Sequence, residues 1–340
     1  MRTTKWMIVS VLATTGVSAG AGNGLGCDGD ATRDGTVNTD DILEIVNLWG
    51  EGGFDIDGDG ICGVTELLAA LHDWDSPCHP FHDVPGLSVE LNYDTGMAII
   101  TSTNVPAHPT GPFDGSTGCF NPNPVTAQND TWEIPLVPFP TDNPQVVYFE
   151  QMGQVGVMLN GTTYYNPYDA GGIDAPSTIC MDDYYGHPSP DGRYHYHQAP
   201  AWAMNGQIGH SMIIGYSFDG YPVYGPFEST GVYAMDLTGD MALDACNGHE
   251  DDIRGYHYHA VAFSDRPDGF PWIQGCYRGE PVMSNFTGGG GGGGGCDGCA
   301  QNMIPPPVCH CVHTTPGYEY CCDNWDANCQ AFADQNCGGP

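Results

Sequence analysis

The chain carries the string Tyr-His-Tyr-His twice, and both copies have the pattern of a short β-strand. The copies are residues 194–197 and 256–259. Tyrosine favours strands, and successive side chains of a strand point to opposite faces. His195 and His197 therefore share one face of the first strand, and His257 and His259 share one face of the second. If the two strands are neighbours, four imidazoles converge on one patch, and imidazole is a ligand of Zn, Cu, Ni and Fe.

Two interpretations of the histidine strings compete. In the simpler one, an aromatic strand pair places its imidazoles in hydrogen bonds to neighbouring groups. Two H-x-H strings in one domain favour the other interpretation, a transition-metal site with copper or zinc as the ion. His187, His210 and His249 are predicted to lie beside such a site or at the surface rather than to bind the ion. Aspartates close in sequence are expected to fix the imidazole tautomers, and the candidates are Asp191, Asp251 and Asp252.

An arginine precedes each histidine string closely. These residues are Arg193 and Arg254. Arginine can hold a carboxylate or a phosphate through two parallel hydrogen bonds. The chain has 7 Lys plus Arg against 42 Asp plus Glu, so a structural ion pair is the favoured interpretation of both arginines.

Other segments near the strings share a recognisable pattern. Residues 219–226, 246–249 and 270–276 read DGYPVYGP, CNGH and FPWIQGC. Together with the strings, they resemble the YHYH domain family of secreted and cell-surface proteins, over roughly half of the chain. The resemblance implies no particular reaction, so any chemistry must be argued from the residues themselves.

Residues 1–19 have the pattern of a secretory signal peptide. Arg2 and Lys5 accompany an apolar run, and Val17-Ser18-Ala19 is a small-residue cleavage signature. The apolar run is too short to cross a bilayer as a helix. No other stretch approaches that length, so we expect a secreted, extracellular or cell-surface protein without a membrane span.

The charge balance excludes several classes of function. The formal net charge is −35, and a strongly acidic surface repels phosphate backbones, so no nucleic-acid partner is expected. The only lysine, Lys5, lies in the signal segment. A mature chain without lysine has no Schiff-base lysine, which excludes pyridoxal-phosphate chemistry.

The 15 cysteines fall into groups of three, four and eight along the chain. This number is natural for an exported protein, in which disulfides form. The two even groups are predicted to pair internally. In the group of three, Cys27 and Cys78 bracket a short segment and are expected to join its ends, while Cys62 is expected to be a small buried thiol.

Residues 27–78 contain two patterns of the EF-hand calcium loop. In the second loop, the ligands at positions 1, 3, 5, 7 and 12 are Asp55, Asp57, Asp59, Ile61 and Glu66. In the first loop, the ligands at positions 1, 3, 5, 7, 9 and 12 are Asp30, Thr32, Asp34, Thr36, Asn38 and Asp41. Gly60 and Gly35 permit the sharp turn at position 6. Thr32 replaces the usual carboxylate or amide, so weaker calcium binding is predicted at the first loop.

Each calcium loop leads into a short apolar-periodic segment that predicts a helix. The predicted helices span residues 41–49 and 65–74. A loop followed by a helix, twice, without the leading helix of an EF-hand, resembles type I dockerin modules. The resemblance implies a calcium-binding module that docks to a cohesin-like partner or anchors the protein at a cell surface.

The rest of the chain divides into three parts of different composition. Residues 79–286 are rich in turn residues and short alternating apolar segments, which predicts a mainly β domain built as a β-sandwich or barrel. Residues 287–295 are a poly-glycine linker. Residues 296–340 are predicted to be a small disulfide-rich module. Cys296-x-x-Cys299 and Cys309-His310-Cys311 leave zinc open as the alternative there.

The sequence therefore indicates two candidate functions. The favoured one is a secreted multidomain protein, anchored by its calcium module, whose β domain binds a transition metal through the H-x-H strands. The alternative is a non-enzymatic extracellular binding module for a glycan or a protein. Its aromatic residues include Trp132, Trp202 and Trp272, and such residues are typical both of sugar sites and of β-domain cores.

Overall fold

The computed structural model describes residues 25–56, 60–74, 78–147, 153–169, 172–204, 208–251, 253–286 and 326–336. The predicted signal peptide, the poly-glycine linker and most of the cysteine-rich module lie outside these residues, as do the calcium-loop residues Asp57 and Asp59.

The N-terminal module contains the two expected helices, each following its loop. Helix α1 spans Thr39–Asn47 and helix α2 spans Val64–His72, so the helices begin two residues and one residue earlier than predicted. Burial of one apolar stripe from each helix drives their packing. The small core that results consists of Val37, Ile45, Cys62, Ala70 and Cys78.

The cysteine predictions for the described residues are confirmed. Cys27 is bonded to Cys78, and Cys62 is a free, buried thiol. The group of four pairs internally, through the disulfides Cys119–Cys180 and Cys246–Cys276.

Beyond the two N-terminal helices, the regular secondary structure of the described chain consists mainly of strands. The strands are β1 Leu87–Asn92, β2 Met97–Ser102, β3 Asp130–Pro135, β4 Pro140–Val146, β5 Gln154–Met158, β6 Thr163–Tyr165, β7 Tyr168–Asp169, β8 Ile173–Asp174, β9 Gly186–Pro188, β10 Tyr194–Tyr196, β11 Ile213–Ser217, β12 Pro222–Tyr224, β13 Phe227–Ser229, β14 Val232–Tyr233, β15 Gly248–Asp251, β16 Gly255–His259 and β17 Cys276–Gly279. The remaining helices are α3 Ala175–Thr178, α4 Ala327–Asn336, and the 3-10 helices Ala201–Ala203, Ala234–Asp236, Gly239–Met241 and Met283–Phe286.

An eight-stranded mixed sheet organises the β domain, with the strand order β15-β16-β12-β11-β5-β6-β10-β9. Its two halves match. Strands β5-β6 and β11-β12 form antiparallel pairs. Strands β6 and β12 then pair in parallel with β10 and β16, whose antiparallel partners are β9 and β15.

The centre of the sheet shows how the halves are related. Strands β5 and β11 pair antiparallel, with Val157 opposite Tyr216. Short hairpins, β7-β8 and β13-β14, follow the corresponding strands of each half. The sheet is therefore two copies of one four-strand unit around an approximate twofold axis, with one Tyr-His-Tyr-His string in each copy.

The prediction of a mainly β domain is confirmed, and of the two predicted architectures the described residues do not form a closed barrel. The edge strands β9 and β15 each have one neighbour in the sheet order, so the sheet is open. A separate three-stranded sheet, β1-β2-β3, contributes Ile100, Trp132 and Ile134 to the same hydrophobic core as Val157 and Tyr216 of the large sheet. Alternation along a strand predicts a buried face, but whether a sheet closes depends on contacts between distant segments.

The last described segment belongs to the cysteine-rich part of the chain. Helix α4 spans nearly all of this segment. Cys329 on this helix is buried and disulfide-bonded. Among the described residues, no helix is both long and apolar enough to cross a membrane.

The packing of Cys62 generates a test of the N-terminal module. In the folded protein, a soluble alkylating reagent should leave Cys62 unmodified, because the thiol is enclosed by the small core. Unfolding without reductant should expose it to modification while Cys27 and Cys78 stay bonded. Peptide mass mapping of both samples measures this, and finding Cys62 in a disulfide would contradict the packing described here.

Candidate metal centres

The two histidine strings lie in different halves of the large sheet. Strand β10 carries His195, with His197 directly after it, and strand β16 carries His257 and His259. Four other strands separate β10 from β16, roughly 24 Å at about 4.8 Å per strand. The four histidines therefore do not converge on one ion, and the single shared patch considered from the sequence is wrong.

Instead, a third histidine lies next to each string, on the neighbouring strand of a hairpin. His187 on β9 stands directly opposite His195, and His249 on β15 stands directly opposite His257. Directly opposed residues of an antiparallel pair project to the same face with their Cβ atoms about 5 Å apart. Both of these histidines are buried. The prediction that they lie at the surface is therefore wrong, and the geometry favours both as ligands.

The first histidine centre consists of His187, His195 and His197, whose ligand atoms lie within 4.8 Å of one another. The Nε2 atoms of His195 and His197 are 3.1 Å apart. The Nε2 atom of His187 is buried without a hydrogen-bond partner. The ring of Tyr165 stacks on His195, with 3.8 Å between the ring centres.

The second histidine centre consists of His210, Glu228, His249, His257 and His259. The Nε2 atom of His257 lies 3.3 Å from that of His210 and 3.1 Å from that of His249. Glu228 Oε2 lies 3.3 Å from Nε2 of His249, 3.5 Å from that of His210 and 3.8 Å from that of His259. Both Glu228 Oε2 and His259 Nε2 are buried atoms without a hydrogen-bond partner.

Backbone carbonyl oxygens fix the orientation of the string histidines in the same way in both centres. The contacts of Nδ1 are His195 to Arg193 O, His197 to Asn166 O, His257 to Gly255 O and His259 to Gly225 O, at 2.6–3.2 Å. A carbonyl oxygen only accepts, so each Nδ1 carries the proton. The neutral ring then presents the lone pair of Nε2.

Two of the aspartates expected to fix these tautomers have other partners. Asp191 accepts from Ser189 and from the backbone of Arg193, and Asp251 pairs with Arg254. Asp252, the third candidate, lies outside the described residues. Backbone carbonyl groups fix the tautomers instead, because strand pairing brings them to the imidazole rings. The spacing of residues in the sequence does not reveal these contacts.

Burial keeps these imidazoles neutral. Desolvation lowers the pKa of His187 to about 3 and the pKa values of His197 and His257 to about 4. It also holds the pKa values of His195 and His259 well below the ordinary range. At neutral pH, these five histidines are therefore neutral and each has an unprotonated nitrogen, which is the form that binds a metal ion.

The spacing of the Nε2 atoms fits a bound transition metal. Two imidazole nitrogens on one tetrahedral ion, each at about 2.05 Å, lie roughly 3.3 Å apart. The three Nε2 separations of 3.1–3.3 Å match this value. Two facing lone pairs repel each other at such distances unless a proton or a cation lies between them. The donor sets therefore fit a metal ion at each centre.

The tyrosines of the strings lie on the opposite face, as strand alternation predicts. Tyr194 and Tyr256 donate hydrogen bonds to Asp182 Oδ1 and Asp244 Oδ1 at 2.8 Å and 3.0 Å. The same carboxylate oxygens accept the backbone N–H groups of Gly186 and Gly248, at 3.4 Å and 3.2 Å. One aspartate thus connects each hairpin turn to the tyrosine face of its string.

Glycine is required immediately before each cross-strand histidine. A Cβ atom added at Gly186 would lie 2.4 Å from the ring of Tyr194, and one added at Gly248 would lie 2.5 Å from the hydroxyl of Tyr256. The sequence carries a matching signal. A Gly-His pair places its histidine eight residues before the first histidine of each string, and this repeat points to His187 and His249.

The arginine before the first string forms the ion pair favoured from the sequence. Arg193 is buried and pairs with Asp130, with Asp191 3.6 Å away. Arg254, before the second string, pairs with Asp251 and also borders a cavity.

Both calcium loops share one contact, although only part of the second loop is described. Asp30 and Asp55 at position 1 accept the backbone N–H of Gly35 and Gly60 at position 6, at 2.9 Å and 2.8 Å. At position 12, Asp41 accepts from the backbone of Thr32 and Asn38, and Glu66 from that of Ile56 and Gly63. Calcium binding by these loops stays a prediction.

Comparison with known protein families found one match. The family model described as YHYH protein matches residues 131–238, which include the first string and end before the second. The resemblance to that family is confirmed for this segment. The comparisons give no support to the dockerin resemblance of residues 27–78. No match was found among curated proteins or solved structures.

The tyrosine face generates a stability prediction that is independent of metal. Tyr258 donates to Asp219 Oδ2 at 2.6 Å and accepts from the backbone of Arg278 at 2.8 Å, and all of Tyr258 and Asp219 is buried. Tyr258→Phe should lower the free energy of unfolding by about 1–3 kcal/mol, because buried polar groups lose their partner. Urea unfolding of the metal-free protein measures this value.

The matched control is Tyr185→Phe. The Tyr185 hydroxyl contacts Ser264 Oγ in an exposed position, at 3.1 Å, so its loss should change stability by no more than about 0.5 kcal/mol. Equal losses in the two variants would show that the buried network around Asp219 does not stabilise the fold.

Proposed function

We propose that the chain is an exported metal-binding protein whose β domain holds two transition-metal ions, one at each histidine centre. The observation that carries this proposal is the convergence of Nε2 lone pairs whose Nδ1 protons are committed to backbone carbonyls. In an ordinary buried histidine, both ring nitrogens find hydrogen-bond partners. In these centres, the second nitrogen of several rings faces another imidazole or a carboxylate instead.

The two ions would have different surroundings. Three histidines at the first centre leave a tetrahedral ion one further position, the arrangement that permits water activation or oxygen chemistry. Four histidines and Glu228 at the second centre offer more ligands than a tetrahedral ion uses. Imidazole suits both copper and zinc, and we propose these as the metals.

The packing of tryptophan favours the metal-binding function over a glycan-binding module. Trp132 and Trp272 are 2 % and 1 % exposed. Stacking on a sugar requires an open ring face, which these two residues do not offer. Trp202 is partly exposed and lines a cavity beside the second histidine centre.

The metal content of paired variants tests the proposal. Protein purified without a histidine tag and loaded with zinc should contain about two ions per chain. His195→Ala/His197→Ala and His249→Ala/His257→Ala/His259→Ala should each retain about one ion, and the variant that combines them should retain none. The reason is that the first variant leaves one histidine at its centre and the second leaves only His210 and Glu228, and one or two protein ligands rarely hold zinc. Elemental analysis measures the content.

The control is His72→Ala, which removes an exposed histidine of helix α2 and should leave two ions. If the wild type contains a single ion, and that ion is lost both in His195→Ala/His197→Ala and in the variant of the second centre, the chain has one shared site and the two-centre proposal is contradicted. Unchanged metal content in all variants would leave the aromatic strand pair as the explanation.

We further propose that residues 27–78 bind calcium and dock the protein to a cohesin-like or cell-surface partner. Helices α1 and α2 expose apolar side chains at corresponding positions. On α1 these are Leu43 and Val46, and on α2 they are Leu68 and Leu71, each more than half exposed. Contiguous exposed apolar surface is typical of interaction sites. The disulfide Cys27–Cys78 and the export signal support a location outside the cell.

Calcium addition tests the N-terminal module. Carboxylates around an empty loop repel one another, so calcium should increase the helical circular dichroism signal of the full chain, and a chelator should reverse the increase. Glu66→Gln should weaken calcium binding more than Thr32→Ala, because Glu66 closes the better loop with two oxygens. No response at millimolar calcium would contradict this function.

A further inference from the structure

Two cavities border the second histidine centre. One, of about 530 Å³, is lined by His210 and Tyr224, and the other, of about 370 Å³, is lined by His259. Volumes of roughly 300–1,000 Å³ are typical of small-molecule sites. Residues of the second centre are thus adjacent to space that a small molecule can fill.

The larger cavity combines apolar walls with one cation. Leu159, Trp202 and Ile214 line it, and Arg254 is the arginine at its border. The ion pair with Asp251 uses Nη1 of Arg254. A guanidinium has five N–H donors, and among the described residues no other acceptor contacts those of Arg254. Its side chain is 22 % exposed.

A tyrosine packs differently on the histidine rings of the two centres. Tyr165 lies flat on His195, with an angle of 20° between the ring planes. The corresponding Tyr224 meets His257 edge-on, at 66° and with 5.0 Å between ring centres, and it meets His210 in the same way. The flat tyrosine caps the first centre, whereas the edge-on tyrosine forms part of a cavity wall at the second.

We propose that the larger cavity is the binding site for a small monocarboxylate with an apolar body, whose carboxylate binds Arg254 and replaces the carboxylate of Glu228 on the metal ion of the second centre. This proposal rests on the proposed function, since it requires an ion at that centre. A divalent ion and Arg254 together carry three positive charges, against two negative charges on Asp251 and Glu228, so the site balances one further negative charge. The net charge of −35 disfavours polyanionic ligands such as phosphate esters. The apolar walls would cover the remainder of the molecule.

The test uses the cobalt-loaded protein with benzoate as the probe. Cobalt reports its ligand set through its visible spectrum, so no activity is needed. In the His195→Ala/His197→Ala variant, the remaining cobalt lies at the second centre. Benzoate should change the spectrum of this variant and of the wild type in the same way. Acetate, which has a shorter apolar body, should bind at least tenfold more weakly than benzoate.

Arg254→Gln, made in the same background, should weaken benzoate binding at least tenfold and leave the cobalt content unchanged. The matched control is Arg266→Gln. Arg266 pairs with Asp236 and Asp268 and does not line the cavity, so its loss should leave benzoate affinity unaltered.

The outcomes separate the two proposals. Absence of cobalt from the second centre would overturn the proposed function. A bound cobalt whose spectrum does not respond to benzoate would overturn the carboxylate site alone. Equal benzoate affinities of Arg254→Gln and Arg266→Gln would also overturn the carboxylate site alone.

Discussion

The hydrogen bonds from histidine Nδ1 atoms to backbone carbonyls are the interaction on which the candidate centres depend. They fix the tautomer, turn each Nε2 lone pair toward its neighbours and hold the rings before any ion arrives. His197 and His259 make the clearest examples, at 2.6 Å and 2.7 Å from their carbonyl partners. The carbonyls belong to chain segments placed by the parallel pairs β6–β10 and β12–β16. Sheet topology therefore determines the ligand geometry.

The internal duplication explains why the chain has two centres rather than one. Each four-strand unit carries the same set of contacts, from the aspartate at the hairpin turn to the carbonyl beside the last histidine. The units then differ around the rings. His210 and Glu228 join the second centre, while Tyr165 covers the first. A duplicated unit that changes near one copy of the site can acquire a second role without loss of the first.

Local features of this fold could be predicted from sequence, and long-range ones could not. Strand alternation correctly placed the histidines and tyrosines on opposite faces, and loop spacing located helices α1 and α2 to within two residues. The separation of the strings depended on strand order, which no local pattern specifies. From the sequence, His187 and His249 are expected beside the metal site or at the surface, whereas the structure buries each of them directly opposite a string histidine. That placement follows from the hairpins β9–β10 and β15–β16, and the repeated Gly-His pair is the local signal of it.

Anomalous diffraction from crystals of the zinc-loaded protein tests the central claim most directly. The two-centre account predicts two peaks at the zinc edge within the β domain, one among the three histidines of the first centre and the other among the four histidines and Glu228 of the second centre. A single peak bound by histidines of both strings, or no peak near either group, would contradict it.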